Sequence, residues 1–334
     1  MVGRRVTGLA VGALWAGVGQ AASGSGSAGP RVVTAEWFAT VAGPDPRVFG
    51  TSLEGAAFDS HGHFYFVDTT APARQPKLLS LDLKTRKTTG LYTDDVSMLN
   101  CIGFAPDGTM YLCDLKNGDG GGGRVVSYDP ASGKIGDVLT NVGGAAFVPD
   151  DMAIAGNGDM YIADYQGTPT SRTGNIILRE ANGQAGVALP GLAHPNGIVL
   201  AADQSGLWID QDLSGTLDHV AKQYSSPAST DVTVTLHTAS YLSLGSNAYT
   251  DSLTVDGKGN IYMAVYGASE VLEFDPSGVQ IGRVAIPGDA PNVTHVAIEP
   301  GTDRAFVTAS GPGGGYIYTF PALAPAPADT ANGG

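Results

Sequence analysis

A hairpin recurs six times along this chain, and that repeat leaves few folds open. Each copy is an apolar strand, a turn rich in Asp and Gly, and a second strand that starts with apolar or aromatic residues. The clearest copies run from Leu53–Phe58 through Asp59-Ser60-His61-Gly62 into Phe64–Asp68, and from Cys101–Phe104 through Pro106-Asp107-Gly108 into Met110–Leu112. The others begin at Met152, Gly197, Leu253 and Val296. Their second strands place Tyr65, Tyr111, Tyr161, Trp208, Tyr262 and Phe306 at equivalent positions, 46, 50, 47, 54 and 44 residues apart. Such a period, with room after each hairpin for two more strands, marks blades arranged around an axis. Segments such as Leu78–Asp82, Val125–Asp129, Ile176–Arg179 and Val271–Asp275 alternate as outer strands do. No sustained 3.6-residue pattern argues for long helices.

The expected fold is therefore all-β, a six-bladed β-propeller with four-stranded antiparallel blades. Residues Val32–Thr40 are expected to supply an outer strand beside Tyr316–Phe320, which closes the ring and removes an exposed edge. The expected boundaries are a signal peptide and flexible leader over 1–30, one propeller over 31–323, and a disordered tail over 324–334, where Ala and Pro alternate before a terminal Gly.

Arg4 and Arg5 precede an apolar stretch, Val6–Val18, and Gly19-Gln20-Ala21 supplies small residues for cleavage. This pattern predicts a secreted or periplasmic protein. No other segment has the length and apolarity of a membrane-crossing helix, so no transmembrane anchor is expected after signal removal. The 32 acidic and 18 basic residues leave a formal net charge of -14, with no dense Lys/Arg patch. A phosphate backbone would be repelled, which excludes nucleic acid as the expected partner. The two cysteines, Cys101 and Cys113, stand nearly opposite in one hairpin, so a disulfide is geometrically open. The preferred reading is two buried free thiols, because cysteine is a common small core residue.

Aligning the copies by their turns gives a second pattern. Glu54, Asn100, Asp150, Asp251 and His295 each lie eight residues before a turn position, and Asn196 takes the analogous place in the fourth copy. In a propeller those six depths converge on the axis. Three carboxylates brought together repel unless a cation compensates them. Glu54, Asp150 and Asp251 with the Asn196 amide oxygen form an oxygen-only donor set. That favours Ca²⁺, with Mg²⁺ or Mn²⁺ as substitutes; zinc would recruit more His or Cys.

On Leu53-Glu54-Gly55, Asp150-Asp151-Met152, Pro195-Asn196-Gly197 and Asp251-Ser252-Leu253, the sequence over about residues 35–320 resembles the SMP-30/gluconolactonase/LRE family. It looks nearest to the drug-responsive calcium-dependent lactonases. The resemblance implies that Glu54, Asp150, Asn196 and Asp251 hold a catalytic divalent ion. Asp150 stands where the sugar-lactone enzymes of the family carry Asn, and their substrate-binding Arg has no clear equivalent, which counts against an aldonolactone. His295 is similar to a channel histidine of the family's phosphotriesterase branch.

The expected activity is hydrolysis of a small-molecule lactone, with Asp251 as the leading base for water. In the alternative, Asp151 orients the attacking water or supports Asp150. His295, Asn100 and Ser252 are expected to line the substrate pocket, and His194 its rim. Phosphotriester or other ester hydrolysis, and a non-enzymatic propeller with structural calcium, are the competing readings. No Gly-x-Ser-x-Gly nucleophile elbow with its partners in an α/β pattern is present.

Overall fold

The computed structural model describes residues 30–44, 52–115, 122–224, 230–237 and 249–327, with the side chains of 222–224 and 230–237 excepted. The expected signal, residues 1–21, lies outside the described residues, as do leader residues 22–29. Among the described residues the fold is all-β, and no helix is long and apolar enough to cross a membrane.

The chain opens with β1 (Arg31–Thr34) and β2 (Glu36–Ala42), whose partners come from its far end. Four antiparallel sheets of four strands follow. The first holds β3 (Leu53–Phe58), β4 (Phe64–Asp68), β5 (Leu78–Leu81) and β6 (Thr88–Tyr92). The second holds β7 (Leu99–Phe104), β8 (Met110–Asp114), β9 (Arg124–Asp129) and β10 (Lys134–Leu139). The third holds β11 (Pro149–Ile154), β12 (Met160–Asp164), β13 (Gly174–Arg179) and β14 (Ala185–Leu192). The fourth holds β15 (Pro195–Leu200), β16 (Gly206–Gln211), β17 (Thr216–Tyr224) and β18 (Thr230–His237). The remaining strands are β19 (Tyr249–Val255), β20 (Ile261–Tyr266), β21 (Glu270–Phe274), β22 (Gln280–Ala285), β23 (Asn292–Ile298), β24 (Arg304–Gly311) and β25 (Gly314–Pro321). With β1 and β2 they form one nine-stranded sheet, whose halves are joined between β20 and β23 at the pair Tyr266↔Asn292.

The hairpins form where the repeat places them. Their turns close through glycines at positive φ, such as Gly62 and Gly108, a conformation that costs glycine nothing sterically. The turn carboxylates finish the job: Asp59 Oδ1 accepts from the backbone N–H of His61 at 2.9 Å and of His63 at 2.8 Å. In that way a short Asp-to-Gly segment satisfies its own backbone.

The first strands lie side by side in the order β3, β7, β11, β15, β19, β23, with β23 against β3. The arrangement is propeller-like, and its core is divided among the sheet interfaces. Ala57, Val67 and Leu78 of the first sheet pack with Leu99, Ile102, Leu112 and Val126 of the second. Ile176 and Ala163 of the third pack with Ile198, Ile209 and Val220 of the fourth. Both faces of each sheet bury apolar surface, at about 25 cal/mol per Å², so no sheet is stable apart from its neighbours.

Three expectations need correction. Residues 32–40 do not form one outer strand: β2 pairs antiparallel with β25 as expected, but β1 crosses to the other half of the sheet and pairs parallel with β22. The switch falls at Ala35, 3% exposed, whose N–H donates to Ala285 O. Cys101 and Cys113 are not free thiols: they face each other across the β7–β8 ladder, Cα atoms 5.0 Å apart, and form a disulfide. A small apolar pair at directly opposed positions is also bonding geometry. The first residues of the expected tail are not a tail. Ala324 is 3% exposed, and Pro325 O accepts from Gly257 N–H at 2.7 Å, so the chain packs on past β25 to residue 327.

Candidate active site

The polar residues of the first strands sit where their ladders break. Pairing jumps from Pro149 to Met152, from Pro195 to Ile198 and from Thr250 to Leu253, leaving Asp150-Asp151, Asn196-Gly197 and Asp251-Ser252 as two residues opposite one. In β3 the shift follows Glu54, and in β7 it brackets Asn100. Such bulges turn a side chain out of the regular alternation, here toward the meeting point of the strands.

Glu54, Asp150, Asn196 and Asp251 are 7%, 5%, 6% and 7% exposed. Burial pushes the Glu54 carboxyl well above the usual carboxylate range, and the charge of Asp150 raises it further, while hydrogen bonds from Ser52 and Thr294 pull it back. Burial likewise lifts Asp150, with Asp151 and Asp212 adding to it. Asp251 is lifted by burial, then by Glu54, Asp150 and Asp210. Carboxyls from three sheets therefore feel one another across a buried centre, the situation that a cation relieves.

The Asn196 Oδ1 atom is buried without a hydrogen-bond partner. An orphaned amide oxygen beside three carboxyls is what a hard, oxygen-seeking cation would use. Among the described residues, no three His, Cys, Asp or Glu side chains already stand at ligand spacing. Glu54, Asp150 and Asp251 would have to draw together around an ion, with Asn196 as the neutral fourth donor.

The other expected residues support this centre in different ways. Asn100 Nδ2 donates to Asp150 Oδ1 at 3.0 Å and to its backbone oxygen at 3.2 Å, so its amide is directed at a carboxylate. Asp151, 1% exposed, accepts from its neighbour Met152 N–H at 2.8 Å, from Ile198 N–H at 3.4 Å and from the Ser252 hydroxyl. Burial raises it to about 7. Ser252 N–H donates to Asp251 Oδ1 at 3.0 Å. His295 is 1% exposed, and its backbone N–H donates to Thr308 Oγ1 at 3.1 Å. The residue left over by the β23 register shift is Thr294, whose hydroxyl reaches Leu53 O at 2.5 Å, beside Glu54.

Several residues at the site escaped sequence reasoning. Asp212, just beyond β16, takes His194 Nδ1 at 2.8 Å and the Tyr165 hydroxyl at 2.9 Å. The Tyr165 and His194 rings lie 3.6 Å apart between centroids, and His194 holds φ 61°. Burial and then the charges of Asp150 and Asp212 push the Tyr165 hydroxyl upward, which places it by the acidic centre. Tyr266 is raised by burial and then by Glu54 and Asp251. A sequence signal did exist: Asp210-Gln211-Asp212 interrupts the apolar second strand of the fourth copy.

A propeller-like all-β fold with bulged acidic strands around one centre matches a described family. The SMP-30/Gluconolactonase/LRE-like region matches residues 120–311, more than half of the chain, and the chain belongs to that family. Among its relatives is lactonase drp35 of Staphylococcus saprophyticus, 26% identical over 285 residues, covering 82% of this chain and 84% of that one. The Staphylococcus haemolyticus lactonase drp35 is 23% identical over 82% of this chain and 85% of its own. A solved gluconolactonase of Xanthomonas campestris superposes with a TM-score of 0.63 at 18% identity, over 81% of this chain and 86% of that chain. A calcium-binding protein of Agrobacterium tumefaciens, regucalcin, gives 0.63 at 17% identity over 90% and 99%. At those identities the structures share the fold.

Proposed function

We propose that this protein is a calcium-dependent lactonase, secreted or periplasmic, built on one six-bladed propeller. The nine-stranded sheet reads as two blades, β19–β22 with β1 and β23–β25 with β2, because one residue pair joins them. The observation that carries the activity is the group of buried carboxyls Glu54, Asp150 and Asp251, in which burial and then the charge of Asp150 raise Glu54 and burial and then the charges of Glu54 and Asp150 raise Asp251, together with the unpartnered Asn196 oxygen. The likeness to lactonase drp35 over most of both chains supports the substrate class.

Glu54, Asp150, Asn196 and Asp251 would hold the ion. When bound, calcium would supply positive charge for a lactone carbonyl oxygen. As one of the ion's ligands Asp251 would be ionised, and its carboxylate would accept the proton of the attacking water. Asp151 supports Asp150 and the neighbouring bulges through Met152, Ile198 and Ser252 rather than meeting substrate. Asn100 orients Asp150, and Tyr165, His194 and Tyr266 form the rim that substrate passes. The disulfide is in keeping with delivery to an oxidising compartment.

The test is a proton-release screen against aliphatic, aromatic and sugar lactones, with calcium supplied or chelated. Calcium-dependent turnover of a lactone is expected, and Asp251→Asn should reduce it by a factor of about 100 or more while circular dichroism stays native. A folded, calcium-loaded protein inert to lactones would sink the proposal.

A further inference from the structure

We infer that Asp210 is a positioning residue whose carboxylate ties the Asn196-Gly197 bulge of β15 to Thr250 at the start of β19, and so sets how far apart Asn196 and Asp251 stand. This inference rests on the calcium reading. Asp210 is fully buried and lies opposite the Asn196-Gly197 bulge in the β15–β16 ladder. At the equivalent place opposite the other two-for-one bulges, the chain has Phe66, Ala163 and Ala264. A carboxylate where the repeat otherwise puts an apolar side chain carries a desolvation cost that packing does not require.

The bonds made by its two oxygens give the reason. One accepts from Gly197 N–H, next to Asn196, and the other from the hydroxyl of Thr250, next to Asp251. Each donor is one residue from an expected ligand, and the two donors belong to different sheets. Thr250 is 1% exposed, so its hydroxyl has no water to turn to. Asn196 has no side-chain hydrogen bond at Oδ1, which leaves its placement to the backbone that Asp210 holds. Gly197 completes the device. A Cβ there would stand 2.7 Å from Asp210 Oδ1 and 2.8 Å from both Leu253 N and Ser252 Cα, so only glycine lets the two bulges come this close.

The experiment compares calcium affinity by isothermal titration calorimetry for wild type, Thr250→Val, Thr250→Ser and Asp210→Asn, with metal-free melting temperatures measured alongside. Thr250→Val removes one hydrogen bond at nearly constant volume and is expected to weaken calcium binding about 10- to 100-fold, as loss of groups that orient ligands does. Thr250→Ser keeps the hydroxyl, and Asp210→Asn keeps an oxygen for Gly197 N–H while its amide N–H donates to the Thr250 hydroxyl oxygen, so both should bind within about threefold of wild type. A merely structural role would lower the metal-free melting temperature and leave the affinity unchanged. Wild-type affinity in Thr250→Val, or failure of the Ser variant to restore it, overturns the inference while leaving calcium binding itself intact. If wild type binds no calcium, the calcium reading and this inference fall together.

Discussion

Gly197 shows how narrowly one residue is specified here. Its absent side chain is the space into which Asp210 and the backbone of Ser252 and Leu253 fit, and two of those three neighbours are backbone that cannot rotate away. Gly197→Ala should therefore destabilise the fold by about 1–3 kcal/mol, measured by denaturant unfolding; wild-type stability would show that the sheets yield more easily than their packing implies. The acidic centre makes a second demand at this scale. Burial raises Asp151 to about 7 from an ordinary 3.8, and lifts Glu54, Asp150 and Asp251 as well. A carboxyl raised on folding favours the folded state below its unfolded pKa, and that contribution disappears as pH climbs through the folded value. In a chelator, the melting temperature should fall as pH rises from about 4 to beyond 7, and calcium should restore progressively more of it because its ligands must be ionised. A chelated protein that grew more stable over that range would contradict this picture. These residues were only partly visible in the sequence. Glu54, Asp150, Asn196 and Asp251 stand at comparable distances before the turns, whereas Asp210 takes a place where other copies have an apolar side chain, and Asp212 and Tyr165 lie just past second strands, outside the repeat.

Among the elements, the hairpin is the unit that the sequence spells out, and the bulge is the one it hides. Alternation and turn chemistry are local, so β3–β4 through β23–β24 fall where the repeat put them. A bulge adds one residue to a strand without altering composition, and which residue is extra depends on the partner's register. The β7–β8 hairpin adds a covalent clamp that its spacing left open. Cys101 and Cys113 enclose a short loop of sequence separation 12, and their link stabilises the folded chain by about 2–3 kcal/mol on loop-closure grounds. Reduction, or replacement of both by Ser, should lower the melting temperature by several degrees. An unchanged melting curve under reducing conditions would mean that the flanking sheets hold the hairpin without it.

At the scale of the whole molecule, closure is made by residues from the two ends of the described chain. β2 lies on β25 with Glu36 opposite Thr319, Leu53 N–H donates to Ser310 Oγ at 3.1 Å, and Thr294 reaches Leu53 O. Deleting residues 36–42 would leave β25 with an unpaired edge flanked by Phe306 and Ile317. Such a variant should aggregate or form higher oligomers, read by size-exclusion chromatography with light scattering; a soluble monomer of wild-type stability would show that β2 is not the closing strand. Tertiary structure alone decided that β1 passes to β22, that Cys101 and Cys113 bond, and that Asp210 reaches two sheets at once. The first and third depend on chain segments brought together from far apart in sequence, and the second on the β7–β8 register that sets the two cysteines directly opposite. What the sequence determined by itself was the hairpin repeat, the all-β class and a polar residue near the start of each first strand, because a strand's alternation and a turn's Asp and Gly are properties of neighbours along the backbone.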